Sequence, residues 1–219
     1  KTELQQVVTF KLGFADEDSD ETYLGLTDAD FSSNPDRRYR ASSLDNFSSK
    51  HRLMQVNYGV NINEGLQVNV KAYRNEFERA WNKFDGLLSG TAPQKILANP
   101  KFYGNQYLVL TGAVDSTGVA ADTIDVTNND REFMSSGLQL SMNLDHQLFG
   151  INQTLSSGIR YHYDEVDREH KQRGYLMRSG QLVFDGVTRD PKVVNHAETD
   201  AYSIYLSNDF QFERMLVTL

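Results

Sequence analysis

Cysteine is missing from the 219 residues, which excludes a disulfide framework and any thiolate metal site. Long apolar runs are missing too, because no stretch approaches the roughly 18 apolar residues of a transmembrane helix. Positive charge is scarce: 22 Lys and Arg stand against 30 Asp and Glu, so the net charge is -8 and a nucleic-acid partner is not expected. An anionic small ligand stays compatible with this balance, since a local basic surface can oppose the net charge.

Aromatic residues are plentiful among polar ones. The chain has 12 Phe and 11 Tyr beside many Asn, Gln and Ser, and its mean hydropathy is -0.55. A disordered chain would lack the aromatic residues. A β-barrel between lipid and a hydrated or filled interior has this composition, because only one face of each strand is apolar.

Apolar and polar residues alternate strictly from Met54 to Ile62, and similar alternation recurs along the chain. Period two is the signature of a β-strand whose two faces differ. The turn at Asn63-Glu64-Gly65 joins the first such segment to the next in a hairpin. The residues predicted to face lipid are Met54, Val56, Tyr58, Val60, Ile62, Leu138, Leu140, Met142, Ile159, Tyr161, Ile204 and Leu206.

The pattern predicts about seven strands and no helix. The polar face of the predicted strands is rich in Gln, Asn, Ser, Thr and Gly. In a soluble β-sandwich the polar face is exposed to water, and Lys and Glu would dominate it. Short turns near Glu64, Gln147 and Gln211 alternate with long loops over 16–50, 85–130 and 172–196. This asymmetry favours a transmembrane antiparallel β-barrel over the sandwich, with short periplasmic turns and long extracellular loops.

An odd strand count does not suit a complete single-chain bacterial barrel, and the last strand stops at Leu219. Residues 1–219 are therefore predicted to be a segment of a larger all-β barrel. A barrel of about 22 strands would hold a plug in its lumen, and no plug-like segment is present in this sequence. Two aromatic girdles are predicted, one from Tyr73, Phe77, Trp81, Tyr161 and Tyr163 and the other from Phe149, Phe210 and Phe212.

Three segments carry a resemblance to a known family. Glu21–Phe31 (ETYLGLTDADF), followed by Asn34-Pro35 and Arg37-Arg38-Tyr39, resembles a loop of TonB-dependent receptors of the ferric-citrate type. The segments 72–83 (AYRNEFERAWNK) and 208–214 (NDFQFER) are similar to later strands of the same family. The resemblance covers most of the chain in order.

This resemblance implies active uptake of a ferric chelate, either ferric citrate or another siderophore, across the bacterial outer membrane. The implied partners are outer-membrane lipid, lipopolysaccharide and the TonB–ExbB–ExbD system, which would act through the plug. No bond of the chelate need break, so the resemblance implies no enzyme activity and no cofactor besides the transported chelate.

The candidate ligand-binding residues on the first long loop are Arg37, Arg38, Tyr39 and Arg40. The candidates on the polar face of the strands are Arg79 and Arg160. Arg74 and His162 are also expected on that face. Guanidinium groups pair with carboxylates in a two-pronged geometry, which suits an anionic chelate. The alternatives are ion pairs within the chain and contact with lipopolysaccharide phosphates.

No metal site is predicted, because the five His are scattered and the acidic run 16–21 lacks the spacing of an EF-hand. Two other functions stay open. A passive porin or adhesion barrel would share the strand pattern. A barrel hydrolase would need a catalytic cluster, for which Arg160, His162 and Asp164 are the nearest candidates.

Overall fold

The computed structural model describes residues 4–219, so the first three residues of the predicted segment lie outside the described part. An eight-stranded antiparallel sheet dominates the described chain. The elements in chain order are β1 (Gln5–Ser19), α1 (Asp28–Ser33), a 3-10 turn (Arg40–Ser42), β2 (Asn46–Asn63), β3 (Leu66–Leu87), α2 (Pro93–Ala98), α3 (Gly104–Thr111), β4 (Ile124–Leu148), β5 (Ile151–Arg178), β6 (Gln181–Phe184), β7 (Val193–Phe212) and β8 (Met215–Thr218).

Each strand pairs with its neighbour in sequence, in the order β1-β2-β3-β4-β5-β7-β8, and the predicted all-β fold is confirmed. The seven strands on this path are the seven predicted ones. The eighth, β6, forms a hairpin with the far end of β5. It was not predicted because it lies within the stretch 172–196, which the sequence analysis interpreted as a long loop.

The strands are longer than the alternation suggested. β4 has 25 residues and β5 has 28, whereas about 9–11 suffice to cross a membrane. The predicted loops are shorter for the same reason: Asp16–Ser19 pairs with Phe47–Lys50 inside the sheet. Charged side chains fill these outer strand portions, so the apolar period ends while the backbone pairing continues.

The prediction that the chain has no helix was wrong. Three helices and the 3-10 turn lie in the long connections. They contain between three and eight residues, which is too short for a helical period to appear in the sequence. In the part of the chain that the structure describes, no helix has the length and apolar character to cross a membrane.

The predicted connection between β4 and β5 shrinks to two residues. Phe149 and Gly150 both have positive φ, 51° and 76°, the backbone that a tight two-residue hairpin requires. Asp145 to Leu148, expected in the connection, pair with β5 instead. The other short turns between consecutive strands of the main path are Glu64-Gly65 and Glu213-Arg214, so these three lie at one end of the sheet. The two-residue turn Ser179-Gly180, which joins β5 to β6, lies at the opposite end. We call the opposite end the long-loop end.

The register places all twelve residues predicted to face lipid on one side of the sheet, which we call the apolar face. Directly paired residues of an antiparallel sheet point to the same side. One row across it is Phe10, Val56, Ala72, Leu138, Tyr161 and Tyr202, and the next is Val8, Tyr58, Val70, Leu140, Ile159 and Ile204. Most of these large side chains are exposed, and none is covered by a second sheet within residues 4–219. The opposite side is the polar face.

The hydrophobic core lies at the long-loop end. It joins strand ends to the connections 20–45 (loop 1), 88–123 (loop 2) and 179–192 (loop 3), and we call this packed region the loop cap. Its buried members are Ala41, Phe84, Leu87, Ile96, Val109, Leu110, Ile124, Val126 and Met177. The long loops are therefore folded against one another.

Candidate functional site

Three arginines form a row across the polar face. Arg79 of β3 is paired in register with Arg131 of β4, and Arg131 is paired with Arg168 of β5. Directly opposed residues in neighbouring antiparallel strands have Cα atoms about 4.5–5.5 Å apart. The three guanidinium-bearing side chains therefore stand next to one another, and we call them the arginine row.

The arginine row has almost no internal partner. Among residues 4–219, the Arg79 and Arg168 side chains form no hydrogen bond or ion pair, and Nε of Arg168 is buried. Arg131 donates one hydrogen bond from Nε to Asn129 Oδ1, at 2.8 Å. Like charges directly opposed across strands destabilise a sheet. An anion between them would relieve the repulsion and complete their hydrogen bonding.

A second row of side chains, which includes two phenyl rings, lies next to the arginine row on the polar face. Phe77 pairs with Phe133, with ring centroids 6.0 Å apart, and His51 packs against Phe77 at 6.1 Å. Val166 continues the row on β5. These four residues, which we call the aromatic row, help to line a depression of about 390 Å³.

The aromatic row corrects part of the predicted girdle. Tyr73, Phe77 and Trp81 lie on the polar face, because each follows a residue of the apolar face by an odd number of positions. Trp81 is buried against Tyr23, with ring centroids 4.3 Å apart. The residues of the predicted girdles that do lie on the apolar face are Tyr161, Tyr163, Phe210 and Phe212.

Arg160 lies on the polar face, as predicted, in a hydrogen-bonded chain. Its Nη2 donates to the Tyr73 hydroxyl at 2.8 Å, and that hydroxyl lies 2.6 Å from Nδ1 of His162. Nε2 of His162 lies 2.7 Å from Oδ2 of Asp164. Both ring nitrogens are thus engaged, and no Ser or Thr hydroxyl of the described residues is bonded to His162. The cluster lacks the nucleophile that a hydrolase of this type would need.

Arg74 was predicted to extend the polar surface and does not. It lies on the apolar face, where its Nη2 is 2.7 Å from Oε1 of Glu76. The prediction failed because Arg74 and Arg79 differ by an odd number of positions and so point to opposite sides of the strand.

The predicted cluster on the first long loop has internal partners. Nη1 of Arg37 lies 2.6 Å from Oδ1 of Asp30, and Arg38 donates to the backbone carbonyls of Asp20 and Asp45, both at 3.0 Å. Tyr39 is 2% exposed, and its hydroxyl donates to Asp30. These contacts hold loop 1 in shape.

Arg40, the fourth member of that cluster, packs over the end of α3. Its backbone begins the 3-10 turn, and the residue is exposed. A Cβ added at Gly112 would come 2.6 Å from Cγ of Arg40. Gly112 has φ 84°, the left-handed backbone that favours glycine at a helix C-terminus.

Asp30 joins loop 1 to loop 2. Its Oδ2 accepts hydrogen bonds from the hydroxyls of Tyr39 and Tyr107, the latter at 2.5 Å. Burial acts to raise the pKa of Asp30, but the bonds from Tyr107, Tyr39 and Thr27 outweigh it and hold that pKa below its ordinary value. Burial, followed by the bond to Asp30, raises the pKa of Tyr107 to about 12.

The C-terminal end of loop 3 is tied to the strands by the side chain of Lys192, and β6 within the loop is paired with β5. Nζ of Lys192 lies 2.7 Å from Asp125, 2.8 Å from Asp85 and 3.0 Å from the Thr127 hydroxyl. Burial acts to lower the pKa of Lys192, but the bonds to Asp125 and Asp85 raise it overall. The loop cap is thus a preformed structure with polar ties between its segments.

An acidic and histidine cluster lies on the side of the apolar face, beyond the apolar rows. The ligand atoms of Glu165, Asp167 and His196 lie within 4.8 Å of one another. Nδ1 of His196 is 2.8 Å from Asp167, so an exposed ion pair accounts for the arrangement. Sequence spacing does not reveal this cluster, because β5 and β7 bring the residues together across loop 3.

Arg131 and Arg168 were not predicted as site residues. They are far apart in the sequence, and only the register places both beside Arg79. A signal was present: each lies two positions from an apolar residue of the aromatic row, Phe133 and Val166, and so shares its face.

Neither a protein-family model nor a curated protein sequence matches this chain. Solved structures do resemble it. The ferric citrate transporter FecA, in its unliganded form, is similar over 97% of this chain and 26% of its own, with a TM-score of 0.65 and 14% identity. BauA, the ferric preacinetobactin receptor from Acinetobacter baumannii, is similar over 95% of this chain and 29% of its own, with a TM-score of 0.54 and 9% identity.

The chain therefore spans less than a third of the length of either receptor. One neighbour is described as a transporter and the other as a receptor. At such low identity the similarity concerns the fold alone. The fold similarity agrees with three features of this structure: strands that pair in sequence order, short turns at one end of the sheet and long loops at the other. The structure therefore has the fold of a section of the β-barrel seen in FecA and BauA.

Proposed function

We propose that this chain is part of the barrel of an outer-membrane receptor that takes up an anionic ferric chelate with energy supplied through TonB. The observation that carries the proposal is the contrast between the two sides of one sheet. One side exposes large apolar side chains, and the other carries the arginine row without carboxylate partners.

The size of the apolar face supports a membrane position. Met54 and Ile62 bound the alternating segment of β2, and eight steps at roughly 3.4 Å each correspond to about 27 Å along the strand. Strands of outer-membrane barrels are tilted, and their apolar band is about 25 Å tall. Lipid and, beyond it, lipopolysaccharide are the surroundings that this face fits.

The arginine row supports an anionic cargo. Guanidinium groups bind carboxylates and other oxyanions with charge-assisted hydrogen bonds, which are stronger where water is restricted. Ferric citrate and many siderophores are anionic, so a cluster of arginines on the inner side of a barrel would attract and hold them. Arg79 and Arg160 are the residues of the sequence prediction that lie on this side.

Transport against a gradient requires an energy source, which we assign to the TonB–ExbB–ExbD system acting through a plug supplied by the rest of the protein. The fold shared with FecA and BauA supports this assignment. The barrel section itself contributes the wall, the anion-selective surface and the loop cap. The iron arrives coordinated by its chelator and is cargo.

Uptake of radiolabelled ferric chelates by cells that carry the full-length protein tests the proposal. The variant Arg79→Gln with Arg131→Gln should lower chelate affinity at least tenfold and slow uptake, and uptake by the unaltered protein should stop without TonB. Arg74→Gln, on the other side of β3, is the matched control and should change neither. Unchanged affinity in the Arg79 and Arg131 variant, or uptake that continues without TonB, would contradict the proposal.

A further inference from the structure

A histidine lies beside the arginine row on its long-loop side. His170 follows Arg168 by two positions on β5, so both side chains belong to the polar face and their Cα atoms lie about 7 Å apart. His170 is paired in register with Asn129 of β4, and Asn129 is paired with Trp81 of β3. We call Trp81, Asn129 and His170 the upper row.

Polar atoms without partners are concentrated in these two rows. Among residues 4–219, five buried side-chain nitrogen or oxygen atoms have no hydrogen-bond partner. Three of the five are Nε1 of Trp81, Nε of Arg168 and Nε2 of His170. A buried polar atom without a partner is rare in folded proteins and is often explained by a bound ion or water. The Trp and Arg nitrogens can only donate, so the group that completes this region is an acceptor.

The surroundings of His170 disfavour its charged form. Burial lowers the pKa of His170, and neighbouring cations lower it further. These cations come from β3, β4 and β5 and are Arg131, Arg168, Lys83 and Arg79. On β7 the residue in register with His170 is Val193, which carries no charge. The carboxylates of Asp85 and Asp125, four positions beyond the upper row on β3 and β4, are bonded to Lys192.

An anion on the arginine row would reverse this balance. Negative charge close to an imidazole favours its protonated form, and the charged ring donates a hydrogen bond from Nε2. Binding of the anion and binding of the proton are then coupled, and the coupling is reciprocal: the anion tightens proton binding as much as the proton tightens anion binding.

Building on the proposed function, we infer that His170 is a fourth member of the anion site and takes up a proton from solvent when an anion binds to the arginine row. The three arginines keep their charge at every pH that the folded protein meets, so His170 is the member whose charge changes. The site therefore binds anions more tightly as the pH falls through the pKa that His170 has in the anion-bound form.

Calorimetric titration of the full-length protein in detergent with sodium sulfate, from pH 8 to pH 5 at constant ionic strength, tests this inference. Sulfate keeps its charge over this range, so a change in affinity reports on the protein. The affinity should rise toward pH 5, by about tenfold for each pKa unit by which sulfate raises the pKa of His170. In the variant His170→Gln the rise should disappear. The matched control is His196→Gln on the opposite face, where Nδ1 of His196 lies 2.8 Å from Asp167, and it should retain the rise.

Nuclear magnetic resonance of the histidine ring carbons measures the same coupling without a change in affinity. The signal of His170 is identified by its absence in His170→Gln. Sulfate, compared with chloride at equal ionic strength, should move the titration midpoint of this signal upward by about one pH unit.

The outcomes separate this inference from the proposal on which it rests. An affinity that is the same at pH 5 and pH 8, a rise that persists in His170→Gln, or a midpoint that sulfate does not move would overturn the inference, and so would a failure of sulfate to bind at any pH. If Arg79→Gln with Arg131→Gln leaves sulfate affinity unchanged, the arginine row is not an anion site and the proposed function itself fails.

Discussion

The hydroxyl of Tyr73 on β3 lies 2.6 Å from Nδ1 of His162 on β5, although β4 separates these two strands. The residue between them in the register is Gly137, and a Cβ there would lie 2.5 Å from the Tyr73 hydroxyl oxygen. The tyrosine ring covers the glycine backbone and so reaches the second strand. Aromatic side chains that cover strand glycines are a recurrent way of fixing register in curved sheets.

Gly137→Ala should displace Tyr73 and break its bonds to His162 and Arg160. The added methyl group overlaps the ring, and overpacking of this kind costs about 1–3 kcal/mol. The midpoint of urea unfolding in detergent measures the loss. Gly25→Ala, at a glycine with open space around it, is the control and should change the free energy of unfolding by less than about 0.5 kcal/mol. Equal effects of the two substitutions would contradict the role of Gly137.

Asp30→Asn should loosen loop 1 at neutral pH. The substitution removes the charge that pairs with Arg37 and weakens acceptance from Tyr107. Trypsin cleavage after Arg37 and Arg38, followed by mass spectrometry, should become several-fold faster. Asp36→Asn, in the same loop and without a side-chain hydrogen bond among the described residues, should leave the rate unchanged. Equal rates in the Asp30 variant and the unaltered protein would contradict the account.

The depressed pKa of Asp30 predicts that the loop cap opens at acid pH. Because the folded-state pKa of Asp30 is depressed, its stabilisation is present above the unfolded pKa of about 4 and is lost as the pH falls through the folded value. Tyr107 acts in the opposite direction. Its folded pKa of about 12 exceeds the ordinary value of about 10, so its stabilisation is lost as the pH rises through that interval.

Spin labels can test this pH window, because the chain has no cysteine that would react with the label. Cysteines introduced at Ser33 and Lys101 report the separation of loops 1 and 2. Their distance distribution should be narrow at pH 6 and broaden below about pH 4, and in the Asp30→Asn variant it should be broad at both values. A distribution whose width is the same at pH 6 and at the lowest pH at which the barrel stays folded would contradict the prediction.

Lys192→Met should loosen the C-terminal end of loop 3, residues 187–192, while β6 stays paired with β5. It leaves Asp125, whose side chain is 8% exposed, without its cation, and removing one partner of a partly buried pair costs about 2 kcal/mol after allowance for screening. Hydrogen exchange of the amides of residues 187–192 should accelerate, and that of β6 should not change. Adding Asp125→Asn should recover part of the loss. A double variant no more stable than Lys192→Met would rule out the ion pair as the source of the effect.

The alternation of Met54–Ile62 was enough to predict the strands and the common face of the twelve apolar residues, because a period of two leaves each side chain only one side. The faces predicted for Phe77 and Arg74 were wrong, because the prediction did not count whether an odd or an even number of positions separates them from residues of known face. The sequence was also insufficient where pairing decides the outcome. Arg79, Arg131 and Arg168 become neighbours only through a register that depends on the turns and on the long strand extensions.

The claim on which the whole account depends is that the two faces of the sheet meet different surroundings. Spin labels attached one at a time from position 138 to 144 of β4 test it most directly in the full-length protein reconstituted in lipid. At even positions such as Leu140, collision with membrane-dissolved oxygen should dominate, and at odd positions such as Gln139, collision with a water-soluble nickel reagent should be the greater. Accessibility that does not alternate along these seven positions would contradict the account.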